Sequence, residues 1–109
     1  MKITTIKKPD LIAIVNSLGF CKKGEGGRFI EEGKADIGGM VAVNTSGGLL
    51  SKGHVIGATG ISQIIEVVRQ LRGQVGKRQV SGAKVGLQHN AGGFFHTDTC
   101  ACAVNIFKR

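Results

Sequence analysis

At 109 residues and 11.4 kDa, with 41% hydrophobic residues, the chain has material for one domain around one core, which excludes several domains within it. Charged residues make up only 20% and mean hydropathy is +0.09, so the polar, highly charged signature of disorder is missing. Fifteen Lys and Arg against seven Asp and Glu leave a net charge of +8, a balance that suits nucleic acid, nucleotide phosphates and acidic membrane surfaces.

In chain order, Lys2 to Ile6 sets Ile3 and Ile6 among threonines and is a candidate strand, within a 1–8 segment. From Pro9 the pattern turns helical. Leu11, Ile14, Val15 and Leu18 recur at spacings of three and four, Asp10 suits the helix start and Gly19 can close the end. Gly24, Gly26, Gly27, Gly33, Gly38 and Gly39 then punctuate a polar stretch without period, which reads as a long surface loop. Met40 to Val43 is apolar and bounded like a buried strand, and a glycine-rich segment over 44–60 follows it. Ile61, Ile64, Ile65, Val68 and Leu71 make one apolar face of a second helix, which Gly73 can stop. After a basic turn at Lys77 and Arg78, Ala83 to Leu87 and Cys100 to Phe107 read as strands, the last with Cys100, Cys102, Val104 and Ile106 on one face. The expected fold class is α/β: one domain over 1–109, with a mixed sheet of three to four strands and two main helices.

The glycine-rich segment lies where open α/β sheets hold ligands, between the end of a strand and the start of a helix. A phosphate-binding P-loop would need lysine after Gly53, and His54 stands there; the Gly-x-Gly-x-x-Gly spacing of a dinucleotide fingerprint is also missing. What remains is His54 flanked by Gly53 and Gly57, an imidazole that can donate a proton or a hydrogen bond near neutral pH where glycines admit a substrate. A loop histidine whose glycines serve turn geometry alone is the other reading. Cys100-x-Cys102 with His89 and His96 lacks the usual zinc-knuckle spacing, so no metal is expected and the alternating cysteines are placed in the core. Cys21 reads as a half-buried or buried small hydrophobe. The basic residues are scattered and Tyr and Trp are absent, so no specific nucleic-acid partner is expected. Apolar runs are shorter than the roughly 18 residues that cross a bilayer, and three cysteines form no secreted disulfide framework, so the expected location is the cytoplasm.

Asn44-x-x-Gly47-Gly48 followed by Gly53-His54-x-x-Gly57-Ala58-Thr59-Gly60 resembles the C-terminal signature of thiolases. Gln70-Leu71-Arg72-Gly73, Gly76-Lys77-Arg78-Gln79-Val80 and Leu87-Gln88-His89-Asn90 are similar to the branch related to sterol carrier protein and acetyl-CoA acetyltransferases. The resemblance implies a truncated thiolase-like C-terminal half acting on acyl-CoA thioesters, with coenzyme A or acyl-CoA as substrate and no covalently bound cofactor. It implies catalytic roles for His54 as oxyanion donor, His89 at the acid/base position and the Ala91 backbone N–H as a second donor. Asn44, Gly47, Gly48, Gly53 and Gly57 would form the binding loop, and Lys77, Arg78 and Lys84 could meet coenzyme A phosphates. A non-catalytic remnant binding acyl-CoA, lipid or a thiolase subunit is the alternative.

The resemblance also implies what this sequence does not supply. None of Cys21, Cys100 and Cys102 occupies the nucleophile motif, so a thiolase N-terminal half or a full-length thiolase subunit is the expected partner, in a homo- or hetero-oligomer. Lys2 to Lys8 stands where a His-Asp-Cys-Phe loop would precede the first helix, and Val55 and Thr45 replace two prolines that would stiffen the loop. The family's half-sheet has spatial order 3-2-1-4-5. With Lys2 to Ile6 in the second place, the bridging first strand would still be missing and strand edges would stay open.

Overall fold

The computed structural model describes residues 2–4, 8–96 and 98–109, and the side chains of these except 2–4, 8–11, 14, 94, 95, 98 and 99. Strand β1 spans Lys2–Thr4, helix α1 Lys8–Ser17, α2 Gly26–Glu31, β2 Ala42–Val43, α3 Gly48–Lys52, α4 Thr59–Leu71, β3 Val85–Phe95 and β4 Asp98–Lys108. A single turn of tight helix over Gly76–Arg78 joins α4 to β3. The sheet order is β2-β1-β3-β4, with β1 parallel to both neighbours and β3 antiparallel to β4. Lys2–Thr4 therefore supplies the bridge itself: Lys2 pairs with Ala42 on one side and Gly86 on the other. That corrects the expectation of a missing bridge, while Thr5 and Ile6 of the candidate strand lie outside the described residues.

Helix α1 ends as its sequence suggests. Gly19 takes φ +75°, the Phe20 N–H donates to the Val15 carbonyl at 3.1 Å and the Gly19 N–H to Asn16 at 3.1 Å, satisfying carbonyls the helix would leave open. The stretch from Gly24 to Gly39 is not all loop, since α2 lies inside it. Gly26 is there for close packing, because a Cβ would stand 2.9 Å from the Ile12 side chain. Phe29 of α2 and Ala35 join Val15, Val41, Val43 and Leu87 in the core on this face of the sheet. Met40, expected in a buried strand, is exposed, and β2 keeps only the two residues that pair with β1.

Helix α4 covers the opposite face, and it does so with its polar side. Gly86, Gln88 and Asn90 of β3 alternate toward it and meet Val67, Gln63 and Gly60 in turn. The Gln88 amide donates to Gln63 at 2.8 Å and accepts from Asn105 of β4 at 2.7 Å. Glu66 takes a forked pair of bonds from Arg78, at 3.2 and 3.1 Å, so this guanidinium is engaged in structure rather than free for a phosphate. Gln70, only 1% exposed, donates to Thr45 and to the Arg78 carbonyl and accepts from the Val80 N–H. The apolar face expected from the sequence is thus not the buried one. Leu71 is buried and Ile64 and Val68 are half-buried, but Ile61 is 60% and Ile65 47% exposed.

The cysteine-bearing strand is corrected as well. β4 is an edge strand, the core cluster ends at Leu87, and Cys100, Cys102, Val104 and Ile106 are exposed rather than core. Cys21 is half-buried as expected, its thiol donating to the Asn16 side chain at 3.1 Å.

Docking of α4 through polar contacts has a measurable consequence. Gln88→Leu leaves Gln63 buried without its partner and should cost about 1–3 kcal/mol in urea unfolding, whereas Ile65→Ser on the outer face should change stability by less than about 0.5 kcal/mol. Equal costs for the two would contradict this packing.

Candidate functional site

The glycine-rich segment leaves the end of β2 and reaches the start of α4 through α3. Asn44 opens it in the left-handed region at φ +51°, and the Gly47 N–H closes a turn on the Asn44 carbonyl at 2.8 Å. Gly47 sits at φ +87° and a Cβ on it would run into the Ser51 side chain, so two constraints exclude any larger residue. Gly48 begins α3, and the Gly53 N–H bonds the Leu49 carbonyl at 2.8 Å as that helix ends. A tight turn follows in which Ala58 and Thr59 both donate their N–H groups to the Val55 carbonyl, with Gly57 at φ +82°.

His54 is exposed at this turn, yet its ring is held. Nδ1 lies 2.8 Å from Thr59 Oγ1, and Thr59 is the first residue of α4 and is buried. The same oxygen accepts the Val55 N–H at 3.2 Å and stands 3.1 Å from the Val55 carbonyl. Ser46, Leu49, Lys52, Val55, Thr59 and Gln63 line a cleft of about 120 Å³ between α3 and α4. It is smaller than the roughly 300–1,000 Å³ of a complete ligand pocket, and His54 stands at its rim rather than among its lining residues. The N-terminus of α4 also points its positive pole to this end.

The His89 side chain is not brought to the His54 turn. Gln88 and Asn90 face α4, so the alternation of β3 places His89 and Ala91 on the other face of the sheet. There His89 Nε2 lies 3.1 Å from the Cys102 sulfur, across from Ala91 in the ladder, and the buried Nδ1 has no hydrogen-bond partner among the described residues. Asn90 of that motif faces the start of α4, where its side-chain nitrogen would be 3.2 Å from a Cβ on Gly60. Sequence reasoning passed over Thr59, Asn90 and Lys52 as site residues. The signal for Thr59 was its spacing of five from His54, which a turn can close.

Residues 6–105 match the sequence profile of the family described as thiolase C-terminal domain-like. The chain belongs to that family. It is 55% identical over 98 residues to the acetyl-CoA acetyltransferase of Methanothermobacter thermautotrophicus, covering 90% of this chain and 24% of the relative. Sterol carrier protein 2 of Bos taurus is 55% identical over 76 residues, covering 70% of this chain and 14% of that protein. Among solved structures it is similar to a chain of the Ltp2-ChsH2(DUF35) aldolase, with a TM-score of 0.68 and 30% identity over 81% of this chain and 22% of that one. This thiolase C-terminal domain-like chain therefore spans a quarter or less of the relatives it matches.

Glycine in the left-handed region beside Ser51 makes Gly47 intolerant of a side chain. Gly47→Ala should destabilise the fold by about 1–3 kcal/mol, while Gly27→Ala, in an open position of α2, should stabilise it by about 0.5–1 kcal/mol. Thermal unfolding of the two variants checks the sign of each; a stabilised Gly47→Ala would contradict the turn described.

Proposed function

We propose that this chain is the C-terminal part of a thiolase-like acyltransferase of the acetyl-CoA acetyltransferase type, acting on acyl-CoA thioesters. The observation that carries the reading is the held imidazole of His54, exposed at a glycine-lined rim beside the N-terminus of α4. Acyl transfer and Claisen-type carbon–carbon chemistry both build negative charge on a thioester oxygen, and an imidazole held in place at the entrance of a cleft is positioned to stabilise that charge by hydrogen bonding. Asn44, Gly47, Gly48, Gly53 and Gly57 shape the loop against which the thioester arm of coenzyme A would lie. His89 as acid/base group and the Ala91 N–H as second donor belong to the same reading; the sheet separates the His89 ring from the His54 turn, so His54 carries it.

The nucleophile comes from outside the segment described, from a thiolase N-terminal half or a second thiolase subunit bearing the reactive cysteine. Leu50, Val55, Ile56, Ile61 and Ile65 support this: all are large, apolar and exposed, and all surround the His54 turn on α3, the turn itself and the outer face of α4. Apolar surface exposed beside an incomplete cleft fits a site finished by a second surface. The names of the relatives, an acetyltransferase and a sterol carrier protein of which this chain matches a minor part, support the same assignment.

The test is a chimera in which this chain replaces the matching segment of the archaeal acetyl-CoA acetyltransferase, assayed for thiolysis. The wild-type chimera should turn over, and His54→Ala should lower kcat by about 100- to 1,000-fold, the usual loss for one oxyanion donor. Equal rates for the two would overturn the role of His54, and an inactive but folded wild-type chimera would favour the non-catalytic alternative.

A further inference from the structure

The buried Thr59 hydroxyl has three polar neighbours among the described residues and one proton to give. The Val55 N–H donates to Oγ1 at 3.2 Å and occupies one lone pair. The Val55 carbonyl oxygen, 3.1 Å away, can only accept; it takes the Ala58 and Thr59 N–H groups, and a threonine in a helix commonly adds its hydroxyl proton to the same carbonyl four residues back. His54 Nδ1, at 2.8 Å, then meets the remaining lone pair and brings its own proton. The reverse arrangement, with the hydroxyl proton on Nδ1, leaves the Thr59 and Val55 oxygens 3.1 Å apart with no proton between them and gives up the bond that a helical threonine commonly makes to the carbonyl four residues earlier. We infer that Thr59 is a positioning residue that holds His54 in its Nδ1–H form, leaving Nε2 as a lone pair facing solvent.

An unconstrained imidazole side chain prefers its proton on Nε2, so the arrangement opposes the ring's own bias and reports on Thr59 alone. This deepens the proposed function and rests on it for its consequence. Neutral His54 is a hydrogen-bond acceptor, and the N–H that an oxyanion needs forms only when Nε2 takes up a proton from solvent, making one N–H bond and giving the ring a positive charge. The resulting donor is charge-assisted and stronger than a neutral imidazole N–H. Lys52 of α3 is the one charged side chain among those lining the adjoining cleft.

The test reads the ring directly, in the full chain, by two-bond proton–nitrogen correlation spectra of nitrogen-15-labelled protein at a pH where the ring is neutral. His54→Gln assigns the resonances. The expected result is a proton on Nδ1 in the wild type, transfer to Nε2 in Thr59→Val, and Nδ1–H retained in Thr59→Ser. A wild-type ring protonated on Nε2 overturns the inference, as does an Nδ1–H that persists unchanged in Thr59→Val. Should Thr59→Val fail to fold, the wild-type tautomer alone decides. No substrate is involved, so an inactive chimera with Nδ1–H at His54 would remove the acyl-transfer reading and leave this one standing, and an active chimera with Nε2–H would do the reverse.

Discussion

Gln70 is the point on which the rest of the structure turns. Its amide reaches Thr45 at the start of the glycine-rich segment, the Arg78 carbonyl and the Val80 N–H, while its own carbonyl accepts from the Gln79 side chain. A buried amide that satisfies several partners has one acceptable orientation, because leaving any of them unpaired costs more than the net gain from an ordinary hydrogen bond. With Gln63 on Gln88 and Glu66 on Arg78, these contacts fix the rotation of α4 about its own axis. Hydrophobic packing alone would not, since the more apolar side of this helix points elsewhere.

That rotation decides what happens at the two ends of the argument from sequence to function. It places Thr59 at the inner side of the first turn, where its hydroxyl can hold the ring of His54. It also leaves Ile61 and Ile65 outward, exposed like Val55 and Ile56 of the preceding turn. The link from Thr45 to Gln70 ties the loop that follows β2 to the last turn of α4, so both walls of the small cleft are attached to one helix. Orientation of the imidazole and exposure of the apolar rim are therefore two results of one set of polar contacts.

Much of the frame was legible in the sequence, and the failures share a cause. Helix α1 with Gly19 at its end and the helix through Ile61 to Leu71 follow from spacing and glycine placement, as does the presence of two C-terminal strands, although the first, expected over Ala83 to Leu87, runs on to Phe95 and the second, expected over Cys100 to Phe107, spans Asp98–Lys108. The thiolase resemblance rested on motifs in the right order, and the family match bears it out. Which face of α4 is buried was not legible, because a periodicity rule assigns the apolar side to the core and cannot see that Gln63, Glu66 and Gln70 find partners 8 to 25 positions away. Helix α2 was hidden by Gly26 and Gly27, since a glycine required for close approach to α1 looks the same as one required for a turn. The bridging place of Lys2–Thr4 depends on pairing with residues about 40 and 84 positions along the chain, which no local pattern encodes. At the site, His54 and its glycines were legible and Thr59 was visible only as part of a motif. The separation of His89 from His54 needed the strand's register, where a shift of one residue exchanges the faces.

The central claim is that α4 docks by its polar side, and site-directed thiol labelling tests it most directly. In a background with Cys21, Cys100 and Cys102 changed to serine, single cysteines are placed at Ile65 and at Val67, which is fully buried. Ile65→Cys should react at close to the rate of the unfolded chain, and Val67→Cys should be protected until the protein unfolds. A protected Ile65→Cys beside a reactive Val67→Cys would mean that the helix is rotated with its apolar side inward, and would contradict the account.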